Sequence, residues 1–398
     1  MSRKKLLFIT QALGHGIGGS EKALIEMLDA MDTNLYDITV LSLCEAPEIP
    51  YINNKIKIIY GEKDLVRLNT PLKPLLKSNN FTMGEKLSRI KVSLLSRKKE
   101  CDLSKIQWQN LHKYINTLEE SYDVAIGYGV GLATYFVIDK VDAKIKIGWL
   151  NTSLADSHMD IDYCRTFYDK FDSVVTDSES GRVRFLELYK DYAKPVYTVR
   201  NLLNVEELRR RGNEGEGFSD SFKGLRILSV GRLCEAKAFH KAVDAAKILK
   251  DKGLNFKWYI IGFGNLENDL RLQIQNNGLE DYFVLLGAKT NPYPFFKECD
   301  IYVQTSIFEG SCITIEEAMA FYRPVVSTNF KAAYEKIIDG ENGFITGMEP
   351  SAIADAVEKL IESSELRVNF TNYQKDNPLN YNEELNKFNH IVDNLLKS

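Results

Sequence analysis

The sequence has no apolar run near the roughly 18 residues that a membrane-spanning helix needs, so an integral membrane protein is not expected. It has no Cys-x-x-Cys pair. Its six cysteines (Cys44, Cys101, Cys164, Cys234, Cys299, Cys312) are scattered, which argues against a zinc site or a disulfide framework and for a reducing compartment. It has no surplus of positive charge: 51 basic against 55 acidic residues, a formal charge of −4, speak against a nucleic-acid binder. The apolar stretch Leu6–Ile9 behind Arg3, Lys4 and Lys5 is shorter than the ~7 residues of a signal-peptide core, so it reads as a first buried strand of a cytoplasmic protein. What remains is ordinary globular composition: 398 residues, 44% hydrophobic and 27% charged. The charge is uneven: residues 1–200 hold 28 basic and 26 acidic residues, leaving 23 and 29 for the rest.

Twelve short apolar runs alternate with amphipathic segments. Seven lie in the first half: Leu6–Thr10, Ile38–Leu43, Ile56–Tyr60, Val124–Tyr128, Ile145–Leu150, Ser173–Thr176 and Val196–Val199. Five lie in the second: Leu225–Val230, Trp258–Ile261, Phe283–Leu286, Ile301–Gln304 and Val325–Ser327. Continuous apolar strands between helices predict parallel sheets covered on both faces, an α/β class. Arg211–Gly224 is rich in Gly, Glu, Ser and Asp and reads as a linker or surface loop. The expected domains are residues 1–204, a linker at 205–224, a second Rossmann-like domain at 225–375, and a C-terminal helix at 376–398 that can pack back on the first domain. Ligands of such sheets bind beyond the carboxyl ends of the strands, which makes the cleft between two facing domains the default site.

Three stretches carry candidate chemistry. Gly14-His15-Gly16-Ile17-Gly18-Gly19-Ser20 offers backbone N–H groups and a helix start to a phosphate. It formally contains G-x-G-x-x-G, yet Gln11-Ala12-Leu13 separates it from the strand, and no Gly-Lys-Ser/Thr follows. A donor-diphosphate loop, a dinucleotide site and a plain turn capped by Ser20 all stay open. In Gly231-Arg232-Leu233-Cys234-Glu235-Ala236-Lys237, a strand-to-helix turn can fold a guanidinium and an ammonium toward one diphosphate; the bland reading is two surface charges. In Phe308-Glu309-Gly310-Ser311-Cys312-Ile313-Thr314-Ile315-Glu316-Glu317, Glu309 with either Glu317 or Glu316 can accept hydrogen bonds from separate hydroxyl clusters; the bland reading is a helix with exposed glutamates.

Taken in order, these pieces resemble the retaining glycosyltransferase family 4, of the GT-B fold. Pro324-Val325-Val326, the Phe171–Ser180 stretch, Val199-Arg200-Asn201, Ile261-Gly262-Phe263-Gly264, Leu286-Gly287 and Asn342-Gly343 add to the match. The resemblance covers nearly the whole chain and is strongest from Val230 to Phe344. It implies two Rossmann-like domains with parallel sheets facing across a cleft. It further implies transfer of a hexose from a UDP-linked sugar to a glycan or lipid-linked glycan acceptor, with retention and with no permanently bound cofactor. Arg232 and Lys237 would neutralise the leaving diphosphate, and Glu309 would contact the donor sugar. The Gly310, Ser311, Cys312 and Ile313 backbone would lie near sugar and phosphate, Glu317 would hold the ribose, Leu286 and Gly287 would face the base, and Gly16 and Gly18 would close the first loop. Asn151 stands where many relatives carry a histidine; His15 and His158 are further candidates for sugar or acceptor contact. Tyr322 replaces the family-typical glycine two residues before Pro324, expected as a local packing change. Outside this reading stand an NAD/FAD oxidoreductase using Gly14–Gly19, a GT-B phosphorylase or epimerase, and a glycan-binding protein without activity.

Two features lie outside the donor site. Asp160-Ile161-Asp162 has the spacing of the metal-binding triplet of the other large glycosyltransferase fold, but it opens a helix-like stretch and reads as helix-start acids, so no metal site is predicted. From Lys73 to Lys99 eight basic residues (Lys73, Lys77, Lys86, Arg89, Lys91, Arg97, Lys98, Lys99) and one acid, Glu85, interleave with apolar ones. That pattern suits an anionic membrane surface, as at the inner face of the cell membrane; the alternative is the solvated face of a helix pair.

Overall fold

The computed structural model describes residues 3–14, 19–44, 52–60, 72–97, 101–152, 154 and 159–397. The chain divides into two compact units, one of Met1–Leu202 with Asn382–Ser398 and one of Leu203–Tyr381. His15, Gly16, Gly18, Lys98, Lys99 and His158 lie outside the described residues.

In the first unit, aliphatic and aromatic runs form seven strands: β1 (Lys4–Thr10), β2 (Tyr36–Ser42), β3 (Lys57–Tyr60), β4 (Ser121–Tyr128), β5 (Asp142–Leu150), β6 (Ser173–Thr176) and β7 (Val196–Thr198). They pair in the order β3-β2-β1-β4-β5-β6-β7, all parallel, with Leu6 opposite both Ile38 and Val124. Leu6, Leu7, Phe8 and Ile9 are fully buried, as a strand covered on both faces demands. The first helix, Gly19–Ala30, already includes Ser20, so that residue is not its cap. The C-terminal helix Asn382–Leu395 belongs to this unit. Its Phe388 is fully buried against Phe8 and Trp149, with ring centroids 6.2 and 5.8 Å away. Asn389 Oδ1 accepts from Tyr36 Oη at 2.9 Å, and Glu384 accepts from Arg200 N at 2.9 Å.

The second unit holds β8 (Leu225–Val230), β9 (Phe256–Ile261), β10 (Phe283–Gly287), β11 (Ile301–Gln304), β12 (Val325–Thr328) and β13 (Gly343–Thr346). Their order is β10-β9-β8-β11-β12-β13, again all parallel. Each of the twelve apolar runs is a strand, and β13 is an addition. Residues 205–224, expected as a linker, are built into the second unit. They open with the helix Val205–Arg211, whose Leu208 is fully buried and whose Arg209 Nε donates to Ala320 O at 2.8 Å. Asp220 anchors the far end, accepting from Tyr259 Oη at 2.7 Å, Arg226 Nη2 at 3.1 Å and Lys257 Nζ at 3.2 Å. Low apolar content had hidden these polar anchors. Tyr322 keeps a glycine-type backbone, with φ 58°, and its ring lies 4.4 Å from the Arg209 guanidinium.

Both sheets are doubly wound, and their strand order reverses between β1 and β4 and between β8 and β11. Chains leaving adjacent strands there turn to opposite faces and open a crevice at the carboxyl edge.

Candidate functional site

In the second unit that crevice lies where the loops after β8 and β11 meet. The β8 loop runs through Gly231 into a short 3-10 turn, Glu235–Lys237, and Ala238, at φ 48°, starts the helix Phe239–Asp251. This turn folds the Lys237 stem over the Gly231 backbone; a Cβ at 231 would lie 2.9 Å from Lys237 Cε. Arg232 is exposed in the same loop. The neighbouring loops stack behind it: Gly231 N donates to Ile261 O, Leu233 N to Phe263 O, and Gly262 N to Gly287 O, at 2.9–3.0 Å. A Cβ at Gly262, where φ is 159°, would strike the Gly231 carbonyl, so glycine is required for this close approach. Leu286 is the bulged residue between the Leu285 and Gly287 pairings, at the end of β10.

β11 ends at the fully buried Gln304, and the loop after it starts with the fully buried Thr305 and Ser306. Thr305 Oγ1 donates to Lys237 O at 2.9 Å and Ile307 N to Ala236 O at 2.8 Å, clamping the two loops together. The clamp brings Lys237 Nζ to 2.6 Å from Glu309 Oε1, with side chains 16% and 15% exposed. Glu309 Oε1 also accepts from Ser306 Oγ at 2.5 Å and Gln304 Nε2 at 3.2 Å. Gln304 is held in turn by Tyr302 Oη at 2.6 Å and Thr314 Oγ1 at 3.1 Å. Burial works against the charged Lys237, but the Glu309 carboxylate outweighs it and holds the ammonium above the ordinary lysine range. Burial, reinforced by Glu309, pushes the Cys312 thiol up to about 12, so it is a neutral packing group and not a nucleophile.

The helix Ile313–Ala320 begins behind Cys312, which takes a left-handed conformation at φ 53°. Gly310 is half-buried; Ser311, Cys312 and Ile313 are buried around this helix start. Glu316 and Glu317, each 5% exposed, are not the exposed glutamates of the bland reading. They divide their tasks. Glu316 pairs with Lys336, Nζ to Oε2 2.5 Å with both side chains 7% exposed, and Lys336 Nζ also reaches Ser311 Oγ at 3.4 Å. Glu317 Oε1 accepts from Tyr293 Oη at 3.2 Å. Sequence reasoning missed Gln304, Ser306, Lys336 and Tyr293. The polar Gln304-Thr305-Ser306 run ending an apolar strand was a usable signal for two of them; Lys336 and Tyr293 stand in no motif.

In the first unit, Asn151 follows β5 beside the end of β4: a Cβ at Gly129 would lie 3.7 Å from Asn151 Nδ2. Asp160 is the N-cap of the helix Ile161–Tyr168, accepting from Tyr163 N at 2.9 Å, and it pairs with Lys105. Among the described residues no group of three or more His, Cys, Asp or Glu could hold a metal ion.

The second unit is the part of the chain with a family match. Residues 221–377 match the family described as Glycosyl transferases group 1. Among curated relatives, an N-acetylgalactosamine-N,N'-diacetylbacillosaminyl-diphospho-undecaprenol 4-alpha-N-acetylgalactosaminyltransferase of Campylobacter jejuni is 26% identical over 210 residues, 52% of this chain and 56% of that one. The amylovoran biosynthesis glycosyltransferase AmsK of Erwinia amylovora is 34% identical over 165 residues, 38% of this chain and 40% of its own. The chain thus spans about half the length of the curated relatives it matches. Anabaena HepE, solved in complex with UDP, superposes with a TM-score of 0.68 at 15% identity, over 98% of this chain and all of HepE. The fold is therefore GT-B, two Rossmann-like units with parallel sheets. These comparisons do not favour the oxidoreductase, phosphorylase or epimerase readings.

Proposed function

We propose that the chain is a retaining, metal-independent glycosyltransferase of family 4. It moves a hexose from a UDP-sugar to a hydroxyl of a lipid-linked glycan acceptor in surface polysaccharide or glycoconjugate synthesis, at the cytoplasmic side of the membrane. The observation that carries this reading is the Lys237–Glu309 pair at the β8/β11 crevice, beside the start of the helix Ile313–Ala320. A diphosphate entering there meets the Lys237 ammonium, the exposed Arg232 and the backbone N–H groups of that helix start. As the anomeric C–O bond to the diphosphate breaks, negative charge grows on the leaving oxygen, and these fixed positive groups stabilise it. The acceptor oxygen forms the new bond on the same face and its proton passes to the leaving phosphate, so no protein base is required. Glu309, steadied by Ser306 and Gln304, receives hydroxyls of the donor sugar, and Glu317 receives the ribose. The UDP seen with HepE and the undecaprenol-linked acceptor in the name of the C. jejuni relative support the choice of donor and acceptor class.

A donor screen with UDP-, GDP- and ADP-sugars, read as nucleotide release, tests the reading. Transfer with a UDP-sugar is expected, with losses of about 100- to 1,000-fold for Lys237→Ala, Arg232→Ala and Glu309→Ala. Full activity in all three variants overturns the site. Sugar release that depends on inorganic phosphate overturns the transferase, and a product of inverted anomeric configuration, read by NMR, overturns retention.

A further inference from the structure

Fourteen large apolar side chains are exposed among the described residues, and six of them fall between residues 76 and 103: Leu76, Met83, Leu87, Leu94, Leu95 and Leu103. Four of the six, Met83, Leu87, Leu94 and Leu95, lie on the helix Met83–Leu95. Its rotation is fixed by a capping box, with Thr82 Oγ1 accepting from Glu85 N and Glu85 Oε2 from Thr82 N at 2.6 Å. The inward face carries the buried Glu85 and Val92, and Val92 joins the Trp108 and Leu111 core. At ~100° per residue, positions 83, 87, 90 and 94 then fall within about 60° of one another on the opposite face. The helix thus presents Met83, Leu87 and Leu94 outward, with Ile90 half-buried between them, the reverse of a normal surface helix. Lys86 and Lys91 flank this stripe on either side, and Lys73, Lys77 and Arg97 are exposed nearby. The only acid from Lys73 to Arg97 is Glu85, which is turned inward.

We propose that this face is a lipid-docking surface: the stripe enters the headgroup region of an anionic bilayer while Lys86 and Lys91 meet lipid phosphates. An exposed apolar stripe needs a cover, and the cations beside it choose a negatively charged one. Among the described residues no helix is long and apolar enough to cross a membrane. The proposal does not depend on the transferase reading, because vesicle binding is measured without turnover.

The test is co-sedimentation of the full chain with phosphatidylcholine vesicles, with and without phosphatidylglycerol. Binding only to the anionic vesicles, weakened by salt, is expected. Lys86→Glu/Lys91→Glu is expected to cut partitioning at least ~25-fold, about fivefold for each cation lost. Leu87→Gln/Leu94→Gln is expected to cut it comparably, with thermal midpoints of both variants unchanged because the four positions lie outside the core. No binding by the parent chain, equal binding to neutral vesicles, or parent-like binding by both variants overturns the proposal. So does a concentration-dependent dimer in sedimentation velocity that the leucine variant dissolves, since the stripe then covers a second copy.

Discussion

Replacing Lys237 by Met tests the site most directly, because stability and catalysis should respond on different scales. The Lys237–Glu309 pair has side chains 16% and 15% exposed. That places it between surface pairs, worth ~0–1 kcal/mol, and fully buried ones, where losing one partner costs ~3–5 kcal/mol. In Lys237→Met the carboxylate of Glu309 keeps two donors, Ser306 Oγ at 2.5 Å and Gln304 Nε2 at 3.2 Å. The expected loss is therefore at the low end, about 1 kcal/mol. In Glu309→Gln the ammonium loses its only anionic partner among the described residues, and about 2 kcal/mol is expected. Urea denaturation of both variants at fixed salt gives the two numbers. Lys237 is held above the ordinary lysine pKa, so its contribution is fully present below that value. It fades only as pH rises through the raised one, and the Lys237→Met difference should be flat across neutral pH. Nucleotide release should fall far more, by about 100-fold or beyond, because a preorganised cation acts on charge that develops in the transition state. A Lys237→Met protein that loses 4 kcal/mol, or that loses stability while turning over normally, refutes the assignment of this lysine to the diphosphate.

Gly231→Ala puts a methyl 2.9 Å from Lys237 Cε; the lysine must shift, so kcat should drop at least ~10-fold with a change in thermal midpoint of only a few degrees. Lys336→Met strands a buried carboxylate and should cost about 3–5 kcal/mol in urea denaturation, whereas Glu316→Met/Lys336→Met should recover most of it. Asp220 is desolvated, yet Tyr259, Arg226 and Lys257 hold its pKa at about 2. Its contribution is present above the ordinary aspartate value and lost as pH falls through about 2; Asp220→Asn should cost roughly 2 kcal/mol at neutral pH, shrinking toward zero in acid. Phe388→Ala empties a fully buried site against Phe8 and Trp149 and should cost ~3–5 kcal/mol, read as an earlier transition of tryptophan fluorescence.

Much of the fold was legible because a parallel strand buried on both faces leaves an apolar run, such as Leu6–Ile9 or Ile227–Leu228, whatever its partners. β13 escaped because Gly343-Phe344-Ile345-Thr346 is a half-buried edge strand that begins with glycine. Residues 205–224 escaped because polar anchors, Arg209 on Ala320 O and Asp220 on three donors, hold them, and a polar anchor looks like a loop in one dimension. The Gly231, Lys237 and Glu309 positions were legible from backbone chemistry and from charge at strand ends. Lys336 was not, since nothing in the sequence around it announces that it returns to Glu316 and Ser311.

The second unit holds two lysine–glutamate pairs at the β11 loop and the helix behind it, and their different burial separates their tasks. Lys336–Glu316, at 7% exposure on both sides, is closed to water, and Lys336 reaches Ser311 at the helix start as well. Opening it would leave two desolvated charges, so it acts as a fixed brace that holds the Gly310–Ile313 turn in its left-handed approach to the helix. Lys237–Glu309 is twice as exposed, and each partner has a substitute on hand: Ser306 and Gln304 for the carboxylate, an incoming phosphate for the ammonium. Exchange of partners there needs no charge to stand alone. On the proposed function, a donor diphosphate would therefore take Lys237 at small cost and leave Glu309 held in place by Ser306 and Gln304. On this argument the working pair is the one with access to solvent and with further donors on its carboxylate, and the anchoring pair is the one closed to solvent.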